Sequence, residues 1–393
     1  MKVLILHQHF KSPSKGGALR SYYLAKALVD HGISTTVITA HNDPSTREEN
    51  VDGIRVCYLP VPYDNSFGFY KRATAFIKYA YQAIRVAGFV GPFDVCYAIS
   101  VPLTVGTVAL ALKRRHNLPY IFEVGDLWPD APIQLGFMKN IFLKRGFYWL
   151  ERESYQNAEF VMALSPAIEA AIEKKMPGKR TELIPNMSDT AFFKPEKKDP
   201  NLEEVYDVKG KFVVSYIGAL GFANGLDHIL ECARAAQKAA LPIHFILCGD
   251  GAMKASLEKG IKRLKLNNVR ILPFQNRDGV RRLLNVTDAV FICYRPVPIL
   301  ETGSPNKYFD GLAAGKLVIV NFGGWIREEI EREGCGVYID PRNPSGFINA
   351  IHPFLQDPEI LKKYQRQARS LAEREYSRKI LGERFFSLIN RWS

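Results

Sequence analysis

Short apolar runs alternate with longer amphipathic segments along most of the chain. In the first half, runs at 2–6, 34–39, 54–58, 93–98, 120–124, 160–163 and 181–184 predict strands, with helices near 17–31 and 67–90 and between the later strands. Periodicity fades over 185–210, a polar stretch of Lys, Pro and Asp that predicts a linker. The alternation then restarts, with strands at 212–217, 243–248, 269–271, 289–293, 317–320 and 335–339. Helices are predicted from Asn224, from Gly251, up to Leu284 and near 306–314, and the chain closes in helices near 344–355, 358–375 and 377–392. Strands that alternate with helices form parallel sheets covered on both faces. The expectation is an α/β chain of two doubly wound, Rossmann-like domains, 1–190 and 191–375. A C-terminal helix, 376–393, is expected to pack back towards the first domain. Ligands of such sheets bind beyond the carboxyl ends of the strands. Two sheets facing each other would place a site in the cleft between them, so the strand-end loops are where chemistry is sought.

The length, 393 residues, exceeds what one core usually organises, and 47% hydrophobic with 24% charged residues excludes a disordered or fibrous chain. No apolar run reaches the ~20 residues that span a bilayer. The opening MKVLILHQHF turns polar after six positions and reads as a buried strand and not as a signal peptide. Six scattered cysteines without a C-x-x-C pair predict reduced thiols in the cytoplasm, with neither a disulfide frame nor a zinc site. The net charge of +13 is spread over both halves and calls for an acidic partner: nucleic acid, anionic lipid or a phosphorylated substrate.

After the first strand, Gly16 and Gly17 open a helix whose free amides and dipole suit a phosphate or a substrate oxygen. This loop does not match G-x-G-x-x-G, which argues against a nicotinamide enzyme. The second half carries a denser set: Gly218, Gly221 and Asn224 after its first strand, Gly249, Asp250 and Gly251 after the next, and Phe274 after the third. Arg295, Glu301, Thr302, Gly303, Ser304, Asn306, Lys307 and Asp310 follow the fourth. Ser304 and Pro305 read as a helix start. Amides there, the Ser304 hydroxyl and the Lys307 ammonium would converge on a diphosphate, and Asp310, one turn beyond Asn306, would accept from ribose hydroxyls. No metal is predicted, since no D-x-D falls in a strand-end loop and His7 and His9 lack a third ligand nearby.

The order G-x-L-x-x-x-x-G-L-D, C-G-D-G and S-P-N-K-x-F-D-x-L-A-A-G-K-x-V-I resembles the C-terminal domain of retaining glycosyltransferases of family 4, which have the GT-B architecture. The first-half loop and the segment Phe122-Glu-Val-Gly-Asp-Leu-Trp-Pro129 resemble the L-fucosamine (N-acetylfucosamine) transferase-like subgroup that builds bacterial surface polysaccharides. The resemblance implies two Rossmann-like domains facing across a cleft. It implies sugar transfer with retention from a nucleoside-diphosphate sugar, with UDP-sugar as co-substrate and neither cofactor nor metal. Lys307, Asp126 and Glu123 become the catalytic candidates, the two acids for orienting or deprotonating the acceptor hydroxyl. Two departures stand out: the family's first acidic position falls on Thr302, beside Glu301, and its Arg and Lys diphosphate ligands fall on Ala219 and Asn224. A sugar-nucleotide epimerase of the same architecture is the enzymatic rival, and a basic nucleic-acid-binding protein the rival of another class. Nucleic acid is not among the partners implied.

Two stretches bear on the acceptor. Residues 65–93 hold no acid beside Lys71, Arg72, Lys78 and Arg85, and 131–150 hold none beside Lys139, Lys144, Arg145 and a crowd of aromatics. These predict peripheral docking on an anionic cytoplasmic leaflet, where a polyprenyl-diphosphate-linked saccharide would be the acceptor.

Overall fold

A computed structural model describes residues 1–13, 19–64 and 67–392. It divides into a first unit, Met1–Pro185 with Thr302–Ser304 and Lys379–Ser393, and a second, Asn186–Glu301 with Pro305–Arg378.

In the first unit β1 (Lys2–Leu6), α1 (Arg20–Asp30), β2 (Ser34–His41), β3 (Arg47–Val51) and β4 (Ile54–Pro60) are followed by α2 (Phe69–Val90) and β5 (Val95–Ile99). Then come α3 (Val105–His116), β6 (Tyr120–Val124), α4 (Asp130–Gln134), α5 (Ile141–Asn157), β7 (Val161–Ala163), α6 (Pro166–Lys175) and β8 (Thr181–Leu183). The sheet order is β3-β4-β2-β1-β5-β6-β7-β8, parallel apart from β3, which pairs antiparallel with β4. β5 and β6 are buried at every position, as strands covered on both faces must be. α3 packs against both α2 and α5. The hairpin strand β3 is absent from the hydrophobic reading because its sequence, REENV, is polar and almost wholly exposed. Its signal was the Asp52-Gly53 pair between Val51 and Ile54, whose positive φ angles of 53° and 89° suit a tight hairpin.

The second unit contains α7 (Pro200–Tyr206), β9 (Phe212–Ile217), α8 (Asp227–Lys238), β10 (Ile243–Cys248), α9 (Lys254–Leu264), β11 (Val269–Leu272), α10 (Arg277–Val286) and β12 (Ala289–Ile292). After these come α11 (Asn306–Ala313), β13 (Leu317–Val320), α12 (Trp325–Glu333), β14 (Gly336–Tyr338), α13 (Gly346–Gln356) and α14 (Pro358–Glu375). Its all-parallel sheet runs β11-β10-β9-β12-β13-β14, so the strand order reverses between β9 and β12. That reversal is where open α/β sheets hold their ligands. α7 lies inside the stretch predicted as linker. The Asp199 side chain caps it, Pro200 occupies its first turn, and it packs on α10. α15 (Arg378–Ile389) sends Phe385 to Tyr97, ring centroids 4.8 Å apart, and Phe386 to a stack on His31 at 3.9 Å. All six cysteines are free and buried.

Candidate functional site

The second unit assembles its polar groups from the loops after β9, β10 and β12. Gly218 and Gly249 follow their strands at φ of 149° and 153°, and Gly251 sits at 151°. A Cβ on Gly249 would overlap the Gly218 carbonyl oxygen, and one on Gly251 would come within 2.6 Å of Leu220 O. The two loops therefore touch backbone to backbone, tied by Leu220 N donating to Asp250 O at 2.8 Å and Met253 N to Leu220 O at 2.9 Å. These glycines, predicted as donor contacts, have close approach as their visible task. Asp250 accepts from Gly251 N and stays exposed.

Against this double loop lies Lys307, on the first turn of α11. Its Nζ donates to Tyr216 Oη at 3.1 Å and to Asn224 Oδ1 at 3.4 Å. It also lies 4.5 Å from the Tyr216 ring centroid and 5.8 Å from that of Tyr294. Every one of these partners is neutral. Desolvation lowers the ammonium pKa to about 8. Asn224, at the family's cationic position, is uncharged but points its amide oxygen at this cation and donates through Nδ2 to Ala219 O. α11 opens without a side-chain cap and with no acid in its first turn, so its dipole and free amides add to the positive field. A half-buried cation answered by π faces, a phenol and an amide is a receptor for an anion.

Asp310 stands one turn beyond Asn306. Burial raises its carboxyl to about 7, with Arg277 opposing and Asp189 adding to the rise. Asp189 is itself ion-paired with Arg277 and, at 2.8 Å, with Arg378. Arg295 rests on the Phe222 ring at 3.6 Å and donates to Phe222 O at 2.8 Å, pinning the β9 loop to the β12 loop. The Glu301 carboxylate abuts the Gly323–Gly324 turn before α12. Phe274, beyond β11, is 65% exposed. Thr302, Gly303 and Ser304 belong to the first unit, where Ser165 Oγ donates to Thr302 O at 2.6 Å.

In the first unit the two acids of the FEVGD segment part company. Glu123 lies within β6 and is 1% exposed. Its Oε2 receives Arg20 Nε at 3.0 Å and Nη2 at 2.8 Å, and the Tyr97 hydroxyl as well. Arg20 also reaches the Ile184 and Pro185 carbonyls. Glu123 was expected at the acceptor; the structure instead buries its carboxylate in the core, with Arg20 and Tyr97 on Oε2. Asp126 stands past the end of β6, and desolvation raises its carboxyl above the ordinary value. His7 bonds Ser21 Oγ at 2.7 Å and burial lowers its pKa to about 3; the His9 ring lies tilted against Tyr63, centroids 4.5 Å apart, and burial lowers its pKa to about 4, so both are neutral at pH 7. Gly16 and Gly17 lie outside the described residues. Sequence reasoning missed Tyr216 and Tyr294. Their only signal was position, one residue before and two residues after the ends of adjacent strands.

Comparison with known proteins agrees with this geometry. A family described as "Glycosyl transferase 4-like domain" matches residues 15–187, and "Glycosyl transferases group 1" matches 198–371. Among curated relatives, the "Putative colanic acid biosynthesis glycosyl transferase WcaI" of Escherichia coli is 25% identical over 71% of this chain and 69% of its own. The "Alpha-D-kanosaminyltransferase" of Streptomyces kanamyceticus is 22% identical over 60% and 61%. Among solved structures, sucrose-phosphate synthase from Thermosynechococcus elongatus superposes with a TM-score of 0.79 at 16% identity, covering 99% of this chain and 98% of that one. Anabaena HepE in complex with UDP-glucose does so at 0.70 and 20%, covering all of both. With two parallel α/β units, a cation box at the strand reversal of the second, and matches to both halves, the chain belongs to the family-4 glycosyltransferases of the GT-B fold.

Proposed function

We propose that the protein transfers a sugar, an N-acetylated hexosamine or deoxyhexosamine, from a UDP-linked donor to a polyprenyl-diphosphate-linked saccharide in bacterial surface-glycan assembly. The observation that carries the donor half is Lys307, a desolvated ammonium whose neighbours are all neutral. The acceptor hydroxyl oxygen bonds to the anomeric carbon as that carbon's bond to the diphosphate breaks; the electron pair leaves on a phosphate oxygen, which takes up the hydroxyl proton. Lys307 and the N-terminus of α11 meet that growing charge. No metal is required where these groups neutralise it, and the configuration is retained. Asp310 takes the ribose hydroxyls, and Asp126 on the first unit orients the acceptor hydroxyl. Known relatives support the class: HepE was solved with UDP-glucose, WcaI is named for colanic acid, and WaaG for lipopolysaccharide biosynthesis. The reaction is assigned to the cytoplasmic membrane, with the protein attached peripherally; no described helix is long and apolar enough to cross it.

Calorimetry across UDP, GDP and ADP sugars tests the donor, and product analysis with EDTA present tests the rest. Preferential UDP-sugar binding and a retained anomer formed only with acceptor are expected. Turnover without acceptor would instead mark an epimerase, and activity abolished by EDTA and restored by magnesium would overturn the metal-independent reading.

A further inference from the structure

Ten of the thirteen large apolar side chains exposed among the described residues lie between Tyr70 and Trp149 of the first unit. Most fall on two helices that flank α3. On α2, Tyr70, Ile77 and Tyr81 recur at i, i+7 and i+11, one stripe on the side away from buried Tyr79 and Ala83. Lys71, Lys78 and Arg85 form a second stripe beside it. On α5 the exposed residues begin at the first turn: Ile141, Phe142 (75% exposed) and Leu143, then Tyr148 and Trp149. This turn is held in place, because Asn140 Oδ1 accepts from Phe142 N at 2.9 Å and Leu143 N at 3.1 Å. Tyr148 Oη donates to Asp130 at 2.7 Å, and Phe147 packs on Trp128 beneath. A capped helix end that turns this much apolar surface to water is unusual for a surface that stays wet.

The charges select the occupant. Lys139, Lys144 and Arg145 interleave with the apolar residues of α5, and Arg152 continues them at the spacing of Ile141 and Arg145. The nearest acids of the helix are already taken, Glu151 by Lys175 at 2.5 Å and Glu153 by Arg114 at 3.6 Å. A second copy pairing through the same face would set these cations against themselves. We propose that the outer face of α2 and α5 is a docking surface for an anionic lipid bilayer, with Phe137, Ile141, Phe142 and Trp149 at headgroup depth and the basic residues among the phosphates. The proposal gives the membrane attachment its surface and its lipid partner, and it rests on the proposed function only for what the membrane carries. The docking itself stands on exposure and charge.

Co-sedimentation of the full chain with vesicles tests it. Phosphatidylcholine mixed with phosphatidylglycerol should retain the protein, in a salt-sensitive manner, and phosphatidylcholine alone should not. Lys139→Glu, Lys144→Glu and Arg145→Glu together should weaken retention about a hundredfold, and Ile141→Ser with Phe142→Ser should weaken it even at low salt. Thermal melting of each variant verifies folding. Equal recovery on both vesicle types, retention untouched by the charge reversals, or a dimer in sedimentation velocity dispersed by Phe142→Ser would overturn the surface. UDP affinity is the separating readout. If wild type fails to bind UDP while vesicles still retain the chain, the donor reading falls and the docking surface stands.

Discussion

Each unit draws a cation out of water, Arg20 buried and Lys307 half-buried, and the two are handled in opposite ways. Arg20 in the first unit meets a carboxylate, a phenol and two carbonyls, so its fork is filled by the protein itself. Lys307 in the second meets a phenol, an amide and two π faces, and desolvation lowers its pKa to about 8. Both ammonium and guanidinium are costly to desolvate. The difference is whether the compensating anion is built into the chain. Where it is, the cation is architecture; where it is not, the cation waits for a ligand.

The contrast can be broken at several points. Glu123→Gln strands a buried guanidinium and should cost about 3–5 kcal/mol of stability, read as a lower midpoint in denaturant unfolding. UDP affinity of the folded fraction should hardly move. Lys307→Ala should do the reverse, losing about 1.5–3 kcal/mol of UDP binding with no loss of Tm. Unchanged affinity would remove Lys307 from the site. Because desolvation lowers the ammonium pKa to about 8, UDP binding should be flat below that pH and weaken as pH rises through it, about tenfold per unit, until the bound-state pKa is reached. A profile with no break near there would show that the lysine's charge is not used.

The smallest effect concerns Asp310. Its folded pKa of about 7 lies above the ordinary carboxylate value, so the folded state holds the proton more tightly and this group adds stability as pH falls from 7 towards 4. Asp310→Asn should abolish that contribution to the Tm-against-pH slope. It should also weaken UDP binding by about 0.5–1.5 kcal/mol through the altered ribose contact.

The β/α alternation made both sheets legible, because parallel strands buried on two faces are continuous apolar runs such as AVFI and LVIV. That Lys307 and Asp310 share one helix after a strand-end loop was legible too. The roles of Glu123 and Asp126 were not separable by sequence. They lie three residues apart, and what decides between them is Arg20, 103 positions from Glu123 and delivered by packing of α1 on the sheet. The box around Lys307 was equally hidden, as Tyr216 and Tyr294 become neighbours only when β9 and β12 pair.

From Lys379 onward α15 and the turn after it lie with the first unit, where Phe385, Phe386 and Trp392 pack on Tyr97, His31 and Phe160. Those three covering aromatics leave the ribosome only after the whole second unit. During synthesis the nascent N-terminal sheet therefore emerges first yet stays unsealed until every residue of the second unit has been made, while that second unit can close on its own before it. The unit made first is the one that matures last, and a chain cut at Pro185 would present its uncovered aromatics to chaperones instead of to its own tail.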